Sequence, residues 1–175
     1  MNRHKSVNLV FLPATAPEDR TYGAIPEQLA DYPDAAIRQV RFPTMVWYNE
    51  RIRREAMAQI RAWGNAPIIL VGFSKSGLGA WHVARAIPDL VAGTLIFDAP
   101  VARAALPPWG TQPFYADDEA WQRDLPLRHV QAFDAAMPKT HRLVLISGAK
   151  MSRGDAVALA GTVGHRPPTR VRGSP

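Results

Sequence analysis

Four short apolar runs do most to restrict what this chain can become: Val7–Leu12, Ile68–Val71, Thr94–Phe97 and Leu143–Ile146. None alternates apolar with polar residues, which is the pattern of central parallel strands buried on both faces. A fifth stretch, Ala36–Phe42, alternates through Ile37, Val40 and Phe42 and stops at Pro43. Helical patterns lie between these runs. Asn49 can cap a helix to Trp63, with Ile52, Ala56, Ile60 and Trp63 on one face and Gly64 closing it. Ser76 to Ile87 is apolar on most sides and ends at Pro88, the mark of a buried helix. Shorter helices are expected near Pro26–Ala30 and over Leu127–Met137. Ser152-x-x-Asp155 reads as a capping box opening a helix to Ala160, stopped by Gly161. Alternation of strand and helix implies βαβ units. The expected fold is a doubly wound, mostly parallel α/β sheet of about five strands with helices on both faces.

The interruption is residues 99–126, rich in Pro and aromatics (Trp109, Phe114, Tyr115, Trp121) with an acidic cluster at Asp117, Asp118 and Glu119. It is too long for an ordinary connection and reads as a lid over a site. The domain is expected to span residues 1–161. Residues 162–175 read as a basic, disordered tail, because eight of the twelve residues from Gly164 are Arg, Pro or Gly. A chain of 175 residues with 47% apolar and 21% charged residues is an ordinary globular domain. No apolar run approaches the ~20 residues of a membrane span. Asn8 and Pro13 make the N-terminal run a buried strand rather than a signal peptide. There is no Cys, which excludes disulfides and Cys nucleophiles and fits a reducing, cytoplasmic compartment. Of the net charge of +6, three units come from Arg166, Arg170 and Arg172. The remainder is too dispersed for a nucleic-acid groove.

The chemistry is concentrated in Ile68-Ile-Leu-Val-Gly72-Phe73-Ser74-Lys75-Ser76-Gly77, where an apolar strand runs straight into a helix. This is a nucleophile elbow, Gly-x-Ser-x-small. The turn brings the residues two before and two after the nucleophile together, so both must be small, as Gly72 and Ser76 are. The bare pattern should arise by chance in roughly one in six chains of this length. The strand before it, the helix after it and its central position set this copy apart. Neither the Gly-x-Gly-x-x-Gly of a dinucleotide-binding turn nor a P-loop is present. Ser76 is the poorer nucleophile, since Leu78 two residues later is bulky. Lys75 is set aside as a base, because neighbours on a tight turn point apart.

With these residues the chain resembles the α/β-hydrolase superfamily from Val7 to about Gly161. The resemblance implies a serine hydrolase of carboxylic ester or related acyl bonds, with an acyl-enzyme on Ser74 and no cofactor or metal. It implies an oxyanion hole made by the Lys75 N–H and by the loop Leu12-Pro13-Ala14-Thr15, through an N–H of Ala14 or Thr15 or the Thr15 hydroxyl. The His-Gly pair common in that loop is absent. It also implies that residues 99–126 form a substrate-covering cap, with Trp109 and Phe114 as substrate-binding residues. For the acid, Asp98 at the end of Leu95-Ile96-Phe97 is favoured over Asp155. The usual position after the next strand is Met151.

The general base is the difficulty. His82 lies more than two turns down the elbow helix and reads as a core residue, His129 and His141 read as surface residues, and His4 is on a terminal arm. His165 is the only downstream histidine and follows the chain order Ser, Asp, His. The expectation is a hydrolase impaired by a missing histidine, as though the final strand, His loop and last helix were absent. Self-association through the sheet edge at Leu143–Ile146 is expected with it. The competing reading is a non-catalytic binding module that keeps the pocket for a small-molecule ligand. Neither reading involves nucleic acid or membrane.

Overall fold

A computed structural model of the chain describes residues 7–31, 34–148 and 150–163. His4 and His165, and the expected tail from Gly164, lie outside the described residues. Five strands form one all-parallel sheet in the order β2-β1-β3-β4-β5: β1 (Val7–Leu12), β2 (Ala35–Gln39), β3 (Ile68–Phe73), β4 (Val91–Phe97) and β5 (Arg142–Ile146). The helices are α1 (Glu27–Ala30), α2 (Glu50–Ala62), α3 (Lys75–Ala86), α4 (Asp118–Arg123), α5 (Val130–Ala136) and α6 (Lys150–Thr162). A 3₁₀ turn, Pro126–His129, leads into α5, so the single helix expected over Leu127–Met137 is divided.

The two faces of the sheet are covered very unequally. The main core takes Ile52, Ala56 and Ile60 of α2, Leu78, Ala80, Trp81, Val83 and Ala84 of α3, Phe133 of α5 and Leu159 of α6. Among the described residues, the opposite face, with Leu9, Phe11 and Val71 at its centre, is reached only by the single turn of α1 and its approach, through Leu29 and Ile25. Ile37, Ile69, Leu95 and Phe97 on that face stay partly exposed.

Several expectations shift for local reasons. Asn49 caps α2 as expected, its side chain accepting from the Ile52 N–H at 3.1 Å. Helix α6 starts at Lys150, so Ser152 and Asp155 lie within it and not at the opening expected for them. The helix runs to Thr162, and Val163 still packs on the core, slightly beyond the expected domain end. The acidic cluster in residues 99–126 opens α4. Asp117 caps it, accepting from the Ala120 N–H at 2.7 Å, and Asp118 and Glu119 meet the positive end of the helix.

Parallel register places the chemistry. Phe73 of β3 is paired with Phe97 of β4, which is paired with Ile146 of β5. The next residues, Ser74, Asp98 and Ser147, therefore emerge side by side at the carboxyl edge of the sheet, where neighbouring strands lie ~4.8 Å apart.

Candidate active site

Ser74 has φ 52° and ψ −123°, a conformation L-residues adopt only when their surroundings impose it. Those surroundings are explicit. Its N–H donates to the Phe97 carbonyl at 2.8 Å, and its own carbonyl accepts from the Gly77 N–H at 3.0 Å. A Cβ on Gly72 would lie 2.4 Å from the Ser76 carbonyl oxygen, so the close approach across the turn admits only glycine. The Ser76 hydroxyl is buried and donates to the Phe73 carbonyl at 2.9 Å, while accepting from the Phe73 N–H at 2.8 Å. Ser76 is thus a brace across the elbow, and its hydroxyl is spent. Gly79 lets α3 pack on the Tyr48 ring, which a Cβ would enter at 2.3 Å.

Ser74 opens into a cleft of about 1000 Å³. Its floor includes Phe73 stacked on Phe97 at 4.4 Å and Phe11 edge-on to Phe73 at 6.0 Å. Its wall includes Arg20, Tyr22 and Ile25 from the loop after β1, together with Trp47, Arg103 and Trp109. Trp47 is buried and donates from Nε1 to the Trp109 carbonyl at 3.1 Å, which ties the wall to the 99–126 segment.

Asp98 also lines the cleft, with φ 45°. Its Oδ1 accepts from the Ser147 hydroxyl and from the Gly148 N–H, both at 3.0 Å. It is a carboxylate held by the neighbouring strand end. Asp155 is elsewhere, 3.9 Å from the Arg103 guanidinium and absent from the cleft lining; burial raises its pKa, with Arg103 opposing.

The Lys75 N–H opens α3, where backbone donors lack intrahelical acceptors. The Ala14 N–H donates to the Tyr22 carbonyl at 2.7 Å, and neither Ala14 nor Thr15 lines the cleft. In this conformation the loop after β1 is closed on itself. Asp19 accepts from the N–H groups of Thr21 and Tyr22, and the Gln39 amide holds the Gly23 carbonyl. Of the two expected aromatic contacts, Trp109 lines the cleft, whereas Phe114 packs toward α2, its carbonyl accepting from the Asn49 side chain at 2.9 Å.

None of the three described histidines lines the cleft. His82 is about 12 Å along the helix from Ser74. It is buried, and its Nε2 donates to the Asp124 carbonyl at 2.6 Å while Nδ1 accepts from Arg85 at 3.3 Å. His129 has the same arrangement, with Nε2 toward the Arg123 carbonyl at 2.7 Å and Nδ1 toward Arg85 at 3.2 Å. One guanidinium thus fixes both rings in the Nε2–H tautomer. Burial, aided by Arg53 and Arg85 and opposed by Asp124, lowers the His82 pKa to about 3. His141, expected on the surface, is buried. Its Nε2 meets the Thr94 hydroxyl at 3.0 Å and its ring lies against Phe133, because the residue leading into β5 tucks under β4.

Asp124 anchors a second polar cluster that no local pattern announces. Its carboxylate takes Arg53 at 2.5 Å and the Tyr115 hydroxyl at 2.8 Å. Burial alone would raise its pKa, but Arg53, His82 and Tyr115 outweigh that and hold it below the usual value. This cluster joins α2, α3 and the 99–126 segment. Trp47, Tyr22 and Arg103 were also unmarked in the sequence. The only signal for the first was the apolar trio Val46-Trp47-Tyr48, which is wholly buried.

No protein-family model and no curated protein matches the sequence. Solved structures do. The chain is similar to alpha/beta hydrolase domain-containing protein 10 from mouse, with a TM-score of 0.61 and 14% identity over 99% of this chain and 82% of that one. It is similar to 2-hydroxy-6-oxo-6-phenylhexa-2,4-dienoate hydrolase from Rhodococcus (TM-score 0.54, 13% identity, 98% and 83% covered) and to NosK from Streptomyces actuosus (0.51, 16%, 97% and 89%). At such identities the likeness speaks for the fold. Together with the parallel sheet and the strained serine between β3 and α3, it shows that this chain has the fold of the α/β-hydrolase superfamily.

Proposed function

We propose that the chain is a serine hydrolase of carboxylic ester or related acyl bonds, with Ser74 as nucleophile. The observation that carries this is the strained Ser74 backbone, braced by Ser76 and by the Gly72 contact, at the mouth of an apolar cleft. The hydroxyl attacks the acyl carbonyl and the alcohol leaves. Water then attacks the acyl-serine and releases the acid. The Lys75 N–H stabilises the oxyanion in both steps, and the Ala14 N–H joins it once released from the Tyr22 carbonyl. Asp98 is the triad acid, fixed by Ser147 and Gly148.

The base is the weak part of the machinery. The described histidines are committed to Asp124, Arg123 and Thr94. His165, if it reaches the cleft, is the remaining downstream one. We therefore expect weak turnover from this chain, of the order of the ~10³–10⁴-fold acceleration that survives loss of a triad member. The same observation favours one competing reading, a binding module that uses the cleft without chemistry. Reaction with a fluorophosphonate, followed by mass spectrometry, separates them. Modification at Ser74 supports the hydrolase. An unmodified Ser74 in a folded protein that still binds acyl ligands supports the binding module. Ordinary turnover that disappears in His165→Ala would show the triad to be complete.

A further inference from the structure

The side chain of Lys75 is placed unlike that of a surface lysine. It leaves the elbow immediately after Ser74, and its ammonium lies over two aromatic faces on the cleft wall, 5.5 Å from the Trp47 ring and 6.0 Å from the Tyr22 ring. It is half-buried, and among the described residues no carboxylate comes within ion-pair distance of it. Asp19 acts on it only from further away, and its carboxylate already accepts two backbone N–H groups. Burial lowers the Lys75 pKa from its ordinary value, with Asp19 opposing. A partly desolvated cation without a counter-ion is a costly arrangement that an incoming anion relieves.

The surroundings agree. Arg20 and Arg103 line the same cleft, the latter resting on the Trp109 ring at 5.4 Å. The acidic residues of the lining are Glu27 and Asp98; Asp98 is already engaged by Ser147 and Gly148, and Arg103 also faces Asp155, outside the lining, at 3.9 Å. The rest of the surface offers an acyl chain the rings of Phe11, Phe73, Phe97 and Trp47.

We propose that Lys75 is a specificity-determining residue that recognises an anionic group on the substrate, so that the acyl compound processed at Ser74 carries a carboxylate or phosphate a few bonds from its reacting carbonyl. The proposal deepens the hydrolase reading and rests on it for the word substrate; the binding it describes does not need turnover. Trp47 and Tyr22 orient the ammonium, and the anion pairs with it from the open side of the cleft.

The test has two arms. In the first, p-nitrophenyl butyrate is compared with the p-nitrophenyl half-ester of glutaric acid, in the wild-type chain and in Lys75→Met and Lys75→Arg. The ratio of kcat/KM for the anionic over the neutral ester is expected to be at least tenfold in favour of the anion. It should fall at least tenfold in Lys75→Met and be largely kept in Lys75→Arg. Any uniform effect of the substitution cancels in the ratio. In the second arm, calorimetry follows binding of monomethyl glutarate, dimethyl glutarate and methyl phosphate to Ser74→Ala. At least one anion should bind tenfold more tightly than the neutral diester, less tightly at high salt, and without that preference in the Lys75→Met background. Absence of turnover with selective anion binding overturns the hydrolase reading and leaves the anion site standing. Equal handling of charged and neutral compounds in either arm overturns the anion site.

Discussion

Ser74 and Ser76 stand two residues apart, and the structure gives their hydroxyls opposite tasks. Replacing Ser74 by Ala should remove essentially all esterase activity and all fluorophosphonate labelling while leaving the melting temperature close to that of the parent. Replacing Ser76 by Ala should do the reverse. It breaks both hydrogen bonds to Phe73 and leaves that half-buried backbone N–H without its acceptor, a loss of about 1 kcal/mol, with much of the activity retained. Denaturant melts and ester assays on the two variants check this, and the opposite ranking would place the nucleophile at Ser76. Gly72→Ala is the more severe change, since its methyl meets the Ser76 carbonyl oxygen at 2.4 Å and either the elbow or the fold must give way.

The elements are held together by the Asp124 cluster, and its chemistry makes stability depend on pH. His82 binds a proton in the unfolded chain below about pH 6.5 but in the folded chain only near pH 3. Between these values the unfolded state holds more protons, so stability rises with pH and is lost on acidification, by up to about 1.4 kcal/mol per pH unit from this one group. His82→Gln should flatten the slope of melting temperature against pH between 6.5 and 4. An unchanged slope would mean that the ring is protonated in the folded protein. Asp124 has a lowered pKa, so its contribution is present above the ordinary carboxylate range and lost as pH falls below it. Asp124→Asn leaves the partly buried Arg53 with its charge unmet and should cost about 2–3 kcal/mol in a denaturant melt, below the cost of breaking a fully buried pair. This cluster also marks where the sequence stops being legible. The strands, α2, α3 and the elbow could be read, because each is encoded by neighbouring residues: an apolar run, a cap at Asn49, a glycine where the turn closes. Asp98 was legible as the residue ending the apolar run before it, while its place beside Ser74 comes from the pairing of β3 with β4. Arg53 comes from α2, His82 from α3, and Tyr115 and Asp124 from the 99–126 segment, and only the folded chain brings them together. The buried Val46-Trp47-Tyr48 turn has no period to reveal it, and His141 looked exposed because nothing local records that Thr94 waits for it.

At the scale of the molecule, and among the described residues, the sheet is finished on one face and sparsely covered on the other, and no strand pairs with the outer edge of β5. Open backbone groups beside partly exposed Val144 and Ile146 of β5 favour association, and we expect the apparent mass in light scattering to rise with concentration. Val144→Lys, a charge set into that edge strand, should suppress the rise, whereas a monomer at every concentration would speak against the edge. The 99–126 segment behaves in the opposite way. It is riveted to α2 through Asp124 and Arg53, to Trp47 through the Trp109 carbonyl, and internally through the Trp121 Nε1 bond to the Arg103 carbonyl. Such a cover is a window frame rather than a door. Trp109, held in that frame, lines one part of the cleft that does not move, so the molecule should sort its guests by girth before any chemistry begins.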